Sequence, residues 1–291
     1  MVSLQSKSKF WQSPIQYDDD TRITIPPLLI LKVSENPKSD SLFASLNMLT
    51  VCKGISAVLS LAQIAAISYL FGTSRIVEIF FAATFLQATV MKLSQTGRFA
   101  ELFVPTFHKL EKNESRADAF LAFSVILNWA SVVIFVWVAL TYLLAGPLVR
   151  INVPGFSDAL QADVKYTLFF VAPILFPQVL TGILRGLTWA EGAYVSTEVT
   201  AFLGRAVNII VVLCFYHLEV WCLVLGLWLG SLATFLALLI LVFRLGFRYQ
   251  FSLSSDSFQI GTFLKSFPAM LSSTGATQPV SYTHLTLPTK A

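Results

Sequence analysis

Six apolar segments, each about long enough to cross a membrane, constrain the fold of this chain more than any other feature. A bilayer core about 30 Å thick requires about 20 apolar residues in a helix. Lipid offers backbone groups no hydrogen-bond partners, so each segment must be helical. The predicted spans are 46–71, 76–104, 117–146, 164–187, 194–216 and 220–243. The sequence therefore predicts an all-α integral membrane protein, a polytopic helical bundle with one six-helix lobe plus the start of a seventh helix.

The same segments divide the chain into regions. Residues 1–45 form a polar cytoplasmic tail, 46–243 the six-helix transmembrane lobe, 244–257 a cytoplasmic loop and 258–279 a truncated seventh helix. Residues 280–291 break the pattern, because VSYTHLTLPT resembles the translation of a sequencing-library adapter. We predict that this tail is not native and that the chain is the front part of a longer protein.

Composition excludes most soluble classes of protein. Hydrophobic residues make up 55% of the chain and charged residues 12%, against about 25% charged residues in ordinary soluble chains. The net charge of +4 is scattered, so nucleic acid is not an expected partner. The cysteines, Cys52, Cys214 and Cys222, show no metal-ligand spacing, and no catalytic motif is present. We therefore expect a non-enzymatic protein with no metal and no cofactor.

The positions of lysine and arginine predict the orientation, because cytoplasmic loops carry an excess of both. With the N-terminus in the cytoplasm, the outer side holds only Arg75, Arg150 and Lys165. The inner side then holds Lys7, Lys9, Arg22, Lys32, Lys38, Lys109, Lys112, Arg116, Arg185, Arg244, Arg248 and Lys265. This bias predicts a multi-pass protein with a cytoplasmic N-terminus.

Polar side chains recur at helical spacing on four of the predicted spans. These stripes are Lys53, Ser56, Ser60 and Gln63 in the first span, Glu78, Thr89, Lys92 and Thr96 in the second, Ser124, Asn128 and Ser131 in the third, and Glu198, Arg205 and Asn208 in the fifth. One shared hydrated cavity explains all four stripes, whereas contacts between packed helices explain the uncharged members. The charged members favour the cavity.

The charged residues differ in depth. Arg205 lies roughly 16 Å from the predicted start of its helix, near the bilayer midplane, where a charge needs water, a partner or a ligand. Lys53, Lys92 and Arg98 lie near the inner ends of their helices, where extension of the side chain to the interface is an alternative to a cavity role. Glu78 lies near the outer end, where solvent explains its charge equally well.

Two prolines four residues apart, Pro173 and Pro177, interrupt the fourth span. Each removes a backbone hydrogen bond and bends the helix. Transporters use such breaks as hinges, although proline is also common in ordinary membrane helices. Both interpretations stay open at this point.

Several short motifs are similar to those of one family. FG at 71–72 and EIFFAA at 78–83 resemble the FG…D-x-F-F-x-A stretch of the MviN/MurJ lipid II flippase family. GRFAELFVP at 97–105 resembles the GAFSQAFVP segment of that family, VPGF at 153–156 resembles its APGF, and FP at 176–177 is similar to its FP pair. The order and spacing of the motifs agree through the six predicted spans.

The resemblance implies an exporter of the multidrug/oligosaccharidyl-lipid/polysaccharide superfamily. Such a protein flips a lipid-linked oligosaccharide, here a lipid II-like peptidoglycan precursor, across the bacterial inner membrane by alternating access. The partners it implies are the lipid-linked glycan, membrane lipids, a coupling cation and the C-terminal lobe of the same parent chain. The family places substrate-binding arginines in the first two helices, where this chain has Ala57, Gln63, Met91 and Lys92, so another lipid-linked glycan is an alternative cargo.

A diphosphate head group needs fixed cations to cross an apolar slab. The candidate cavity cations are Arg205, Lys92, Arg98 and Lys53, the candidate gate or ion-coupling acids are Glu78 and Glu198, and the uncharged cavity candidates are Gln63, Ser60, Asn128 and Asn208. A cation-coupled multidrug exporter of the same superfamily is the first alternative, and it would favour buried acids over cations. A non-transporting membrane scaffold is the second, and it predicts that the polar stripes are only packing contacts.

The charge bias predicts that position 113 lies in the cytoplasm and position 157 outside. In a background without the native cysteines, we expect a membrane-impermeant maleimide added to intact cells to label Ser157→Cys and not Asn113→Cys. Permeabilised cells provide the control for reactivity at both positions. Labelling of Asn113→Cys in intact cells would show that the orientation is inverted.

Overall fold

Helices form nearly all the regular structure of the chain. The computed structural model describes residues 39–93, 99–254 and Gly261, and no strand occurs among them. The helices are α1 (Ser39–Phe71), α2 (Arg75–Leu93), α3 (Phe99–Asn113), α4 (Arg116–Leu143), α5 (Ala145–Asn152), α6 (Asp158–Val171), α7 (Leu175–Ala190), α8 (Tyr194–Cys214) and α9 (Val220–Arg244). Short 3₁₀ turns at Ala172–Ile174 and Tyr216–Leu218 follow α6 and α8.

The described residues all belong to the larger of two units, Asn36–Ala291, and the smaller unit, Met1–Glu35, lies outside them. The predicted adapter-like tail lies outside the described residues as well. So do most of the predicted polar tail and, apart from Gly261, the predicted seventh helix. The predictions for these regions stay predictions.

Five helical segments in the described part of the chain are long and apolar enough to span a bilayer. They are Asn47–Phe71, Arg116–Leu143, Asp158–Ala190, Tyr194–Cys214 and Val220–Arg244. These segments coincide with the first, third, fourth, fifth and sixth predicted spans, because transfer into lipid is decided by apolar content over about 20 residues. The all-α membrane class predicted from the sequence is confirmed.

The second predicted span, 76–104, differs from the structure. It falls into α2, which has 19 residues, and the start of α3, while residues 94–98 lie outside the described ranges. α3 buries Phe99, Phe103 and Phe107, at i, i+4 and i+8, and carries polar residues elsewhere. An apolar stripe of this kind fits a helix that packs on a protein surface, and α3 contacts α7 and α4.

The connection between α6 and α7 is a kink at Pro173. The proline has no N–H, so the carbonyl of Phe169, four residues earlier, has no helical partner. The Tyr142 hydroxyl of α4 donates to that carbonyl instead, at 2.9 Å. The indole N–H of Trp228 in α9 donates to the next carbonyl, that of Phe170, at 2.8 Å. The predicted hinge is therefore a kink held by α4 and α9, and its movement stays a prediction.

Two hydrophobic clusters hold the bundle together. One lies near the predicted cytoplasmic end, where the ring of Phe123 in α4 has its centroid 5.1 Å from that of Phe103 and 5.3 Å from that of Phe247. The other joins α2, α6 and α9 near the predicted outer end and includes Ala83 and Leu168. α1 adds little to either cluster, since only 6% of its most apolar 18-residue stretch is buried inside the bundle.

Glycines bring α8 and α9 into the most extensive contact between any two helices of the described part. A Cβ atom on Gly230 would lie 2.6 Å from the carbonyl oxygen of Gly204, and one on Gly226 would lie 3.2 Å from that of Asn208. Small residues let membrane helices approach so closely. The contact fixes the rotation of α8 and thereby the position of Asn208.

We expect Gly230→Ala to destabilise the chain by about 1–3 kcal/mol, because the new methyl group meets backbone that cannot turn away. Thermal unfolding in detergent measures the effect. Gly54→Ala is the matched control, since nothing lies within 4 Å of a Cβ at that exposed helical position. There we expect unchanged or slightly higher stability, as alanine favours a helix. Equal melting temperatures for the two variants would contradict this account of the α8–α9 contact.

Candidate functional site

A cavity of about 600 Å³ lies between α1, α2, α7, α8 and α9. Much of its wall is apolar, with side chains such as Ile67, Phe80 and Leu223. The polar side chains in its wall are Ser60, Gln63, Ser68, Thr84, Gln87, Gln178 and Asn208. No charged side chain is among its described lining residues. The cavity is thus an apolar chamber with a few hydroxyl and amide groups, the composition of a site for an uncharged polar ligand.

An amide pair closes one side of the cavity. The Gln63 Nε2 of α1 donates to the Oδ1 of Asn208 in α8 at 3.0 Å, and Asn208 is 7% exposed. Ser60, one turn before Gln63, also lines the cavity. The structure brings these three predicted cavity residues together.

A second polar chain crosses the cavity wall from α2 to α9. The Gln87 Nε2 donates to the Oε1 of Gln178 at 2.8 Å, and the Nε2 of Gln178 donates to the Ser231 hydroxyl at 3.3 Å. None of these three residues was predicted from the sequence. On α2 the polar residues that face the cavity are Thr84 and Gln87, at i and i+3. Their helical spacing was the signal in the sequence that could have identified them.

The predicted stripe of α2 lies elsewhere. The structure places Glu78 and Thr89 on the exposed surface, and Thr89 donates only to the Phe85 carbonyl of its own helix. The side chains of Lys92 and Thr96 lie outside the described part, and so does Arg98. Lys53 of α1 is exposed. Glu78 lies in the first turn of α2 near the predicted outer end, where solvent can reach its carboxylate.

Arg205 lies beside the cavity and links two helices. Its Nη1 donates to the Ser56 carbonyl of α1 at 3.0 Å, and the Ser60 hydroxyl donates to the same carbonyl at 2.9 Å. Arg205 is half-buried, one turn from the cavity residue Asn208, but it is not among the described lining residues. In the described part, no ion pair joins it to Glu198, which is also half-buried.

The predicted stripe of α4 anchors the chain after α9 and does not face the cavity. The Nδ2 of Asn128 donates to the Ser252 carbonyl at 2.7 Å, and its Oδ1 accepts from the Tyr249 hydroxyl. The Ser124 hydroxyl accepts from the N–H of Gln250 at 3.3 Å. One shared cavity therefore does not explain all four stripes, because this one binds backbone of a neighbouring segment.

Ion pairs mark the two ends of the bundle. Arg75 and Asp163 are 2.6 Å apart at the predicted outer end. Arg116 lies 2.9 Å from Glu191 at the predicted cytoplasmic end and also donates to the Leu245 carbonyl. Burial raises the pKa of Glu191, and the charge of Arg116 partly opposes that rise. Neither pair is among the described lining residues of the cavity, although Arg75 lies between the lining residues Gly72 and Val77. Among the residues described, no three His, Cys, Asp or Glu side chains cluster as metal ligands would.

A sequence model of one protein family, described as lipid II flippase MurJ, matches residues 67–289. The chain belongs to the MurJ lipid II flippase family. The predicted resemblance is thereby confirmed. The match includes most of residues 280–291, and the adapter origin of that tail stays a prediction.

Two MurJ proteins show how much of the length of a related protein this chain covers. A probable lipid II flippase MurJ of Buchnera aphidicola subsp. Baizongia pistaciae (strain Bp) is 25% identical over 148 residues, which are 51% of this chain and 28% of the relative. A solved structure of lipid II flippase MurJ in an inward closed conformation matches with a TM-score of 0.67 and 18% identity, over 79% of this chain and 48% of that one. The chain thus shares the MurJ fold and spans less than half of each protein.

The Gln63–Asn208 pair gives a test of how the cavity wall is held. We expect Asn208→Leu to destabilise the chain by about 1–3 kcal/mol, because it leaves the partly buried Gln63 amide without a partner. The double variant Gln63→Leu/Asn208→Leu should recover most of that loss, since neither polar group remains. Unfolding in detergent measures all three proteins, with Thr89→Leu on the exposed face of α2 as the control. Strictly additive losses would contradict the pairing.

Proposed function

We propose that this chain forms the first lobe of a flippase for a lipid-linked oligosaccharide, a lipid II-like peptidoglycan precursor, in the bacterial inner membrane. Membership in the MurJ family and the shared fold support this proposal. The chain spans 48% of the solved MurJ chain, which supports a second lobe in the parent protein. The first and second lobes, with the cargo between them, would permit alternating access.

The observation that carries the proposal is the amide-rich cavity among membrane-spanning helices. Gln63, Gln87, Gln178 and Asn208 offer both donors and acceptors, and sugar hydroxyls are groups of both kinds. The apolar remainder of the wall is compatible with a lipid-linked molecule. Nothing in the described wall carries charge, so the wall suits the glycan part of the cargo better than its diphosphate.

Arg205 is our candidate for binding the diphosphate of the cargo. A guanidinium can bind two phosphate oxygens at once, and a charge near the bilayer midplane is costly unless it meets a partner or a ligand. The Ser56 carbonyl occupies one donor of Arg205, which leaves further N–H groups for an anion. Lys92, Arg98 and Lys53 remain candidates of the same kind, and Glu78 and Glu198 remain candidates for a gate or for cation coupling.

The exposed surface of α1 supports a partner lobe. Val58, Leu61 and Ile64 are each more than 60% exposed, although α1 carries the cavity residues Ser60 and Gln63. We propose that lipid and the second lobe cover this surface. The proposed orientation keeps the N-terminus and the Arg116–Glu191 pair in the cytoplasm, in accord with the distribution of lysine and arginine.

Substitution of Arg205 in the full-length parent protein tests the proposal. We expect Arg205→Gln to reduce flipping of lipid II in proteoliposomes at least about tenfold, because it keeps a donor for the Ser56 carbonyl and removes the charge. Arg205→Lys should retain part of the activity, since the charge survives without the two-pronged geometry.

Arg150→Gln is the matched control, because Arg150 is an exposed arginine near the predicted outer end. Its flipping should equal that of the wild type. The amount of folded protein is measured for each variant by size-exclusion chromatography. Full flipping by well-folded Arg205→Gln protein would refute the role of the charge. Absence of lipid II flipping by the wild-type parent, with drug export instead, would favour the multidrug alternative.

A further inference from the structure

The cytoplasmic half of α7 carries three buried polar atoms that have no hydrogen-bond partner. They are the Oγ1 of Thr181, the Nε of Arg185 and the Nε1 of Trp189. The described residues contain five such atoms in all, so most of them lie on this one half-helix. The three residues are spaced four apart and therefore share one face of the helix. We call this face the α7 donor stripe.

The α7 donor stripe begins beside the cavity and runs along α7 toward the predicted cytoplasmic end. Gln178, three residues before Thr181, falls on the same face and lines the cavity. At 1.5 Å per residue, Arg185 lies about 10 Å below Gln178 along the helix axis. The opposite face, with Val179, Ile183 and Leu187, is buried in the hydrophobic core. The stripe also borders α8, because the Thr197 hydroxyl donates to that of Thr188 at 2.8 Å.

The missing partner of the stripe must accept hydrogen bonds. Arginine and tryptophan side chains are donors only, and a threonine hydroxyl can donate. Buried donors in proteins are nearly always paired, and Arg205, the other half-buried arginine of the described part, follows that rule, since it donates to a carbonyl. Arg185 makes no hydrogen bond or ion pair in the described part of the chain. A neutral carbonyl could accept its hydrogen bond, and an anionic acceptor would also offset its positive charge.

Thr181 departs from the usual behaviour of threonine in this protein. Thr84, Thr141 and Thr167 each donate to a carbonyl of their own helix, four residues earlier. This local bond is the default for a hydroxyl in a membrane helix. Thr181 does not form it, although its hydroxyl oxygen is buried. The hydrogen-bonding capacity of this hydroxyl is therefore unused in the described structure.

We infer that the α7 donor stripe binds a phosphate group, one that an anionic lipid head group or a free phosphate compound can supply. A phosphate offers several acceptor oxygens to a guanidinium fork and to neighbouring O–H and N–H donors. The inference rests on the proposed function, because it adds a station for the diphosphate of the cargo between the cytoplasm and the cavity. Arg185 would hold that group before Arg205 does.

Binding to the purified 291-residue chain in phosphatidylcholine nanodiscs tests the inference. The probes are radiolabelled undecaprenyl diphosphate and, separately, radiolabelled inorganic pyrophosphate. We expect Arg185→Gln to weaken binding about tenfold or more, Arg185→Lys to weaken it less, and Thr181→Val to weaken it severalfold. Arg248→Gln is the matched control, because Arg248 is exposed near the same end of the bundle and loses the same charge. Its affinity should equal that of the wild type.

Thermal unfolding separates a binding role from a structural one. Because the side chain of Arg185 has no partner among the described residues, Arg185→Gln should keep or raise the melting temperature. Pyrophosphate should raise the melting temperature of the wild type and not that of Arg185→Gln. A lower melting temperature for Arg185→Gln with unchanged binding would show a structural role and overturn the inference.

The two probes distinguish the source of the phosphate. Arg185-dependent binding of both supports a site for the phosphate group itself, and dependence with the lipid probe alone supports a site that also requires the lipid. Equal binding of both probes by Arg185→Gln and wild type overturns the inference, even if the parent protein flips lipid II. If Arg185-dependent pyrophosphate binding holds and the parent does not flip lipid II, only the proposed function fails.

Discussion

A polar side chain inside a membrane bundle has no water to bind, so its position is decided by the partner that it finds. This constraint organises the structure. Gln63 finds Asn208, and Gln87 finds Gln178. These two pairs join α1 to α8 and α2 to α7, which are the walls of the cavity. The same groups that would bind a ligand therefore also fix the positions of the cavity walls.

Close contact between α8 and α9 supports that arrangement. Gly226 and Gly230 lie against the backbone and side chain of Asn208, so the asparagine has little freedom to turn away from α1. Helix packing through glycine costs little in a membrane. A larger apolar side chain at the same position would gain little from burial, because lipid covers apolar surface equally well. The cavity thus depends on residues that never touch it as much as on those that line it.

The sequence predicted most of the membrane architecture because apolar length is a strong and local signal. It did not separate α3 from α2, since the phenylalanines of α3 contribute to hydropathy in the same way whether they face lipid or α7 and α4. In the candidate site, helical spacing grouped Ser60 with Gln63 on α1, and the structure places both at the cavity beside Asn208 of α8. Spacing alone could not show which face of a helix points inward.

Because spacing does not show which face of a helix points inward, the predicted polar stripes of α2 and α4 lie away from the cavity. The stripe through Glu78 and Thr89 is as regular as the one through Thr84 and Gln87, but only the second meets other helices. Asn128 has the spacing of a cavity residue, yet it binds a segment more than a hundred residues away in the chain. Arg185 was counted among the charges of the inner side, because its distance from the helix end gave no indication that its Nε is buried. In each of these cases the surroundings of the residue depend on which distant segment packs beside it, and spacing along one helix does not show this.

The kink at Pro173 has a mechanical consequence. The carbonyls of Phe169 and Phe170 accept hydrogen bonds from Tyr142 of α4 and Trp228 of α9. A change in the bend must therefore either break these two bonds or move α4 and α9 as well. Through these bonds, a displacement of α4 or α9 would be passed to the junction of α6 and α7.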